Sequence, residues 1–257
     1  MSILSVHKVS AAPWGTPLLK DLSFSLDAGT ITAIIGPNGA GKSSLLHLLA
    51  GGHGLSAGEL LLQGRPLGDY RLAERARHIG VLPQQASLNF PFSVEEVVSL
   101  GRTPHASGRL ADRQIVQEVL EAVDINAFAQ RIYTELSGGE RQRVQLARAL
   151  AQIWREQDAP GRVLLLDEPT SAMDLAHQQR LRHLLKEVAA SGCAVVLITH
   201  DFNMACSCAE TLIVINNGAA VAAGTVNDVV TPRMFMDVFG VSVYINRDLA
   251  FPQVLIT

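Results

Sequence analysis

The chain has 257 residues, enough to bury a full α/β core either as one large domain or as a core with an inserted subdomain. Its net charge of -3 gives no electrostatic case for a nucleic-acid partner. Although 48% of the residues are hydrophobic, no apolar run approaches the roughly 18 residues that span a bilayer. A heavily buried parallel sheet accounts for most of the excess. No basic region followed by a long apolar stretch marks a secretory signal.

The first thirty or so residues alternate weakly (Ile3, Val6, Val9, then Leu22, Phe24, Leu26) around Pro13-Trp14-Gly15, which predicts short antiparallel strands. Trp14 lies just upstream of the next motif and has two open readings, a stack on an adenine face or a plug in the hairpin. An apolar strand over residues 31–35 then meets Gly36-Pro37-Asn38-Gly39-Ala40-Gly41-Lys42-Ser43-Ser44 and an apolar helical pattern at Leu45, Leu46, Leu48 and Leu49. Strand, glycine loop and helix in this order make a polyphosphate cradle. Glycines let backbone N–H groups curl around phosphate without Cβ clashes, and the helix start adds free donors and the positive end of its dipole. Lys42 can reach the β- and γ-phosphates, and the Ser43 hydroxyl can ligate Mg²⁺.

A glycine-rich exit at 51–54 leads to a predicted strand over 59–63, a short helix over 72–78 and a buried strand over 79–82 that ends in Pro83-Gln84-Gln85. His47 and His53 read as ordinary surface or helix residues. An amide at the carboxyl end of a strand in a doubly wound sheet points into the ligand crevice, so Gln84 is a candidate to touch Mg²⁺ or an attacking water. From residue 90 to about 154 the pattern turns mainly helical. Ser93 and Glu96 have capping-box spacing, and Ile115, Val116, Val119, Leu120 and Val123 line one face of a second helix. Residues 102–109 between them read as loop.

The helical stretch ends in Leu136-Ser137-Gly138-Gly139-Glu140-Arg141-Gln142. Ser137 and Glu140 can cap the following helix reciprocally, which is the usual meaning of this spacing. Ser137, Gly138 and Gly139 also leave small side chains and free N–H groups at a helix start, a second anion-binding surface. Residues 163–166 are an apolar strand that abruptly presents Asp167 and Glu168. Buried charge needs work or partners; Asp167 is placed to hold the Mg²⁺ shell and Glu168 to polarise a water aimed at a γ-phosphate. Ser171-Ala172-Met173-Asp174 precedes an amphipathic helix, and a further buried strand over 194–199 ends in His200, which can hydrogen-bond a γ-phosphate oxygen, whereas a lone histidine is more often structural. The three cysteines, Cys193, Cys206 and Cys208, lack zinc spacing and read as reduced near-core thiols of a cytosolic protein. A hairpin signal around Asn217-Gly218, a short helix near 232–239 and a chemically unassigned tail complete the chain.

The phosphate loop, Gln84, Leu136-Ser137-Gly138-Gly139-Glu140, Leu166-Asp167-Glu168-Pro169, residues 171–174 and His200 occur in the order and rough spacing of an ABC-transporter ATPase subunit, and the resemblance covers essentially the whole chain. It implies an α/β fold: a P-loop NTPase (RecA-like) core with an N-terminal antiparallel β subdomain and an inserted α-helical subdomain. The whole chain, 1–257, is then one ABC ATPase domain, with its nucleotide-binding core in 1–89 and 162–257 and the signature-bearing helical subdomain in 90–161. The resemblance further implies ATP and Mg²⁺ as cofactors and a head-to-tail pair of chains. Each ATP is then held by Lys42 and its neighbours from one copy and by Ser137, Gly138, Gly139 and Glu140 from the other, which answers the puzzle of two anion sites and one lysine.

The segment from Gln84 to Val98, followed by Gly101-Arg102, resembles iron-chelate, heme and vitamin B12 importers, where this region receives a coupling helix of the permease. The stretch 153–162 and Leu175-Ala176-His177-Gln178-Gln179 look most like bacterial heme (hemin) importer ATPases. That resemblance implies transmembrane permease subunits as partners, a periplasmic heme-binding protein indirectly, no nucleic acid, and a peripheral position on the cytoplasmic face of the inner membrane. Met173 stands where such chains usually carry leucine, and Ala11 and Ala12 lie near the place of an adenine-stacking aromatic. A siderophore or cobalamin importer and a non-transport ABC ATPase, such as an iron-sulfur assembly component, are the alternatives.

Overall fold

A computed structural model describes residues 2–12, 15–85 and 88–256. Strands β1 (Ser2–Ala11) and β2 (Leu19–Asp27) pair antiparallel and are ten and nine residues long, not the short strands that weak alternation predicts. Their ladder shifts register between Val6 and Val9, where Lys8 takes a φ of 49°. An irregularity of this kind changes which side of the strand faces inward, and so blurs the period-two pattern. Strand β3 (Ile31–Ile35) is buried along its whole length and feeds a loop that opens α1 (Lys42–Leu49). Strands β4 (Ala57–Leu62) and β5 (Arg65–Pro66) return to the first sheet, whose order is β2-β1-β4-β5. Helix α2 (Leu72–His78) then leads directly into β6 (Ile79–Leu82).

Between β6 and the next strand the chain is helical: α3 (Val94–Ser99), α4 (Arg109–Ala122) and α5 (Gly138–Ile153), joined by short 3-10 turns. Ile115, Val116, Val119 and Leu120 of α4 pack with Val94, Val97 and Val98 of α3 and with Val144 and Leu150 of α5 in one core. The reading of 102–109 as a loop misses a buried group. Arg102 is 3% exposed and forms ion pairs with Asp112 (2.9 Å) and Asp158 (2.7 Å), and it donates to the Ala151 carbonyl. A polar residue in a loop-like stretch gives no sequence signal of burial, because its partners come from residues 10 and 56 positions away.

The chain then completes a six-stranded sheet. Strand β7 (Val163–Asp167), helix α6 (Leu175–Ala190), strand β8 (Ala194–Ile198), helix α7 (Phe202–Cys208) and the hairpin β9 (Thr211–Asn216) and β10 (Ala219–Thr225) follow in turn. The sheet order is β10-β9-β3-β8-β7-β6, parallel except for β10. Strands β3, β7 and β8 are buried at every residue, as expected for strands covered on both faces. Helices α8 (Val226–Val229) and α9 (Pro232–Phe239) and the hairpin β11 (Val243–Asn246) and β12 (Gln253–Ile256) form the remaining layer, a core built around Phe235. All three cysteines are free and buried; burial pushes the Cys193 thiol up to about 12 and that of Cys206 up to about 11. Such thiols are poor nucleophiles. Among the described residues no helix is long and apolar enough to cross a membrane.

Parallel pairing has one consequence for function. Ile35 pairs with Val214, Leu82 with Leu166 and Asp167 with Ile198, so the carboxyl ends of β3, β6, β7 and β8 lie along one sheet edge. The phosphate loop, Gln84, Asp167, Glu168 and His200 all leave the sheet at that edge.

Candidate functional site

The loop after β3 is shaped by close approach. At Gly36 (φ 156°) a Cβ would stand 2.0 Å from the Ile215 carbonyl of β9, so only glycine lets the loop pass this neighbouring strand. The β9–β10 hairpin also supports the loop from outside, since the Gly218 amide donates to the Ala40 carbonyl at 2.9 Å. Pro37, Asn38, Gly39 and Gly41 complete the turn, and Gly41 precedes the first helical residue in a left-handed conformation. Lys42 is buried, and its Nζ donates to the carbonyls of Gly36 and Pro37, both at 2.9 Å. Burial lowers its pKa, opposed by the negative charges of Glu168 and Asp167. The ammonium is therefore kept inside the curl of the loop, facing two carboxylates. Ser44 follows in the first turn of α1.

Asp167 ends β7 fully enclosed, 3% exposed. Burial pushes its pKa above the ordinary 3.8, and a hydrogen bond with Ser43 acts in the opposite direction. Its Oδ1 is buried with no hydrogen-bond partner. A buried carboxylate oxygen without a donor, beside a hydroxyl, is an all-oxygen donor set that suits a hard divalent cation such as Mg²⁺.

Glu168 has a φ of 50°, the left-handed region that a side chain seldom takes. Its amide donates to the Ile198 carbonyl at 2.9 Å, and its carbonyl accepts from the Gln142 side-chain amide at 3.2 Å. With the backbone so turned, Glu168 Oε1 meets His200 Nε2 at 2.6 Å. His200 therefore contacts a carboxylate, a pairing the sequence reading leaves out. Gln84 is exposed at the end of β6, and β6 pairs with β7 in a register that carries Gln84 to the level of Glu168. It lines a cavity of about 350 Å³ together with Gly138, Arg141, Gln142 and Gln145.

At the start of α5 the expected capping box is present. Ser137 Oγ accepts from the Glu140 amide at 3.3 Å, and Glu140 Oε2 accepts from the Ser137 amide at 2.7 Å. These bonds hold the Glu140 carboxyl below its ordinary value, with Arg131 adding charge at 3.3 Å. Gly138 lies beside Ala172, and a Cβ on Gly139 would stand 2.6 Å from the Ala172 carbonyl. The small residues thus also serve contact with the segment after Glu168. Asp174 closes that segment as the N-cap of α6, accepting from the His177 amide at 2.8 Å.

These observations fit what comparison with known proteins finds. Residues 19–171 match the ABC transporter family. The chain belongs to the ABC transporter family. Over 95% of its length this ABC ATPase is 46% identical to the hemin import ATP-binding protein HmuV of Pseudomonas entomophila, covering 94% of that relative. It is 44% identical to HmuV of Pseudomonas aeruginosa, over 95% of each chain. An inward-facing ABC transporter of metal-chelate type has the same fold, with a TM-score of 0.82 at 29% identity over 100% of this chain and 97% of that one. Membership makes ATP the nucleotide of the ABC ATPase and couples its hydrolysis to transport.

Within this ABC ATPase the structure gathers the phosphate loop, Asp167, Glu168 and His200 at one edge, and Gln84 at the same level. The helix start at 137–140 joins them through Gln142 and the 168–174 segment. Trp14 lies outside the described residues. Sequence reading missed Gln142 and Gly218 because each acts through a backbone contact made only in the fold.

Proposed function

We propose that this chain is the ATP-hydrolysing subunit of an importer that carries hemin across the bacterial inner membrane. Two copies pair head to tail, each bound to transmembrane permease subunits on the cytoplasmic face, and a periplasmic heme-binding protein delivers the cargo. The identity of 42% to 46% with hemin import ATP-binding proteins, over nearly the whole length of each chain, is the observation that carries the reading. In this reading residues 1–89 and 162–257 are the nucleotide-binding core, and 90–161 are the helical subdomain that carries the signature helix.

The residues divide the work as follows. Residues 36–44 cradle the ATP phosphates, with Lys42 released from the loop carbonyls onto the β- and γ-phosphate oxygens. Ser43, Asp167 and Gln84 would hold Mg²⁺, which supplies neutralisation of the charge on the phosphate oxygens. Glu168 orients and deprotonates the attacking water, and His200 holds that carboxylate in place and reaches the γ-phosphate side of the site. Ser137, Gly138, Gly139 and Glu140 present the start of α5 to the ATP of the other copy. Because ATP then contacts both copies only in the closed pair, its binding favours closure and its hydrolysis removes that bias.

The deciding experiment is ATPase turnover of the chain purified with its permease in lipid, with hemin-loaded, siderophore-loaded and empty binding proteins compared. Stimulation specific to the hemin-loaded protein is the expected result. Stimulation by a siderophore-loaded protein instead would keep the importer and overturn the cargo. That second reading has its own support in the 29% identity and TM-score of 0.82 to a metal-chelate type transporter.

A further inference from the structure

The first turns of α5 lie directly against the chain that follows Asp167. At Gly139 the Ala172 carbonyl leaves no room for a Cβ, and one turn further the half-buried Gln142 sends its side-chain amide to the carbonyl of Glu168 at 3.2 Å. That carbonyl also accepts from the Ser171 amide at 3.3 Å, while the Glu168 amide is held by Ile198 of β8 at 2.9 Å. Both polar ends of this residue are thus pinned, one by the sheet and one by the signature helix.

The pinned residue is the one that needs it. A left-handed backbone at a non-glycine residue is strained and persists only where the surroundings over-determine it. The direction of the Glu168 side chain, and its 2.6 Å contact with His200, follow from that backbone. A small shift of α5 that broke the Gln142 bond would leave the Glu168 carbonyl held by the Ser171 amide alone and loosen the aim of its carboxylate.

We propose that Gln142 is a positioning residue for hydrolysis: it ties the seat of helix α5 to the backbone of Glu168. The inference rests on the functional reading above. In the head-to-tail pair, α5 serves the nucleotide held by the other copy, whereas Glu168 serves the one held by its own. Gln142 is the bond through which the fit of α5 on one nucleotide sets the aim of the base on the other.

The test compares Gln142→Met and Gln142→Glu, which keep the length of the side chain and remove its donor. Single-turnover hydrolysis at saturating ATP is measured on the full chain with its permease in lipid. Misplacing a reacting group by about 1 Å costs about 10²-fold, so both variants should hydrolyse about 10- to 100-fold more slowly. Their KM for ATP should stay within about twofold, because no phosphate contact is removed. In a Glu168→Gln background, Gln142→Met should slow hydrolysis no further, since residues acting as one unit are not additive. A multiplied effect in the double variant, or a KM that rises while kcat is kept, would overturn the assignment. Hydrolysis at the unsubstituted rate in both variants would overturn it while leaving the functional reading intact. Absence of hydrolysis by the unsubstituted complex would overturn the functional reading and this assignment with it.

Discussion

Ionising Asp167 costs the fold stability. Its pKa lies above the ordinary 3.8 because burial penalises the charged form more than Ser43 and Lys42 favour it. The folded chain therefore keeps this proton at pH values where the unfolded chain has released it. As pH rises from about 4 through the folded value, this carboxylate removes stability, and the loss remains at neutral pH. Asp167→Asn should raise the melting temperature of the nucleotide-free protein by about 2–4 °C at pH 7, with a smaller gain at pH 4, and should abolish Mg²⁺-dependent hydrolysis. Calorimetry at the two pH values and a phosphate-release assay check both parts. His200 is the partner residue to test at the same scale. Its Nε2 is the only side-chain partner found for Glu168 Oε1 among the described residues, so His200→Ala should lower kcat by about 10²-fold or more. Nucleotide affinity, read by equilibrium binding, should stay near its original value.

Among the elements, α5 carries the most. Its start is a capping box, its first turns touch the 168–174 segment, and its end is fastened by Arg162. Arg162 is 3% exposed and donates to the carbonyls of Ile153, Trp154 and Ser191, so it joins the C-terminal ends of α5 and α6. Arg162→Met leaves the buried Ile153 carbonyl and the partly buried carbonyls of Trp154 and Ser191 without this donor and should lower unfolding free energy by about 2 kcal/mol, seen as an earlier midpoint in urea. Ser137→Arg acts at the other end. It removes a helix cap, at about 1 kcal/mol, and sets a long cation where the proposed pair would receive the nucleotide of the other copy. Hydrolysis should vanish while the single chain still binds ATP; normal turnover in this variant would sink the composite site.

For the whole molecule, the central expectation is that neither copy is complete alone. Each chain has one lysine-bearing phosphate loop and one separate helix start, at 137–140, without a lysine of its own. In a Glu168→Gln variant, ATP should bind, persist and hold two copies together, so that light scattering doubles in mass only when ATP is present. Hydrolysis by that variant should fall about 10²- to 10⁴-fold.

Most of the parts are legible in short stretches of the chain. The strand, glycine loop and helix at 31–49, the two carboxylates at the end of an apolar strand, the capping boxes at Ser93 and Ser137 and the Asn217-Gly218 hairpin are all local. Each depends on residues within a few positions of one another, and each is found where expected. The lengths of β1 and β2 were hidden because an irregularity at Lys8 breaks the alternation that reveals strands. The rest arises only when distant segments pack together. Arg102 and Arg162 look like surface residues until chain segments distant in sequence enclose them. The Gln142 bond to Glu168 spans 26 positions, and the support that Gly218 gives Ala40 spans far more. A side chain that recognises a backbone carbonyl needs no particular residue type opposite it, so no pattern in the sequence marks the contact; only the packing of α5 and of the hairpin tip against the sheet edge brings the two together.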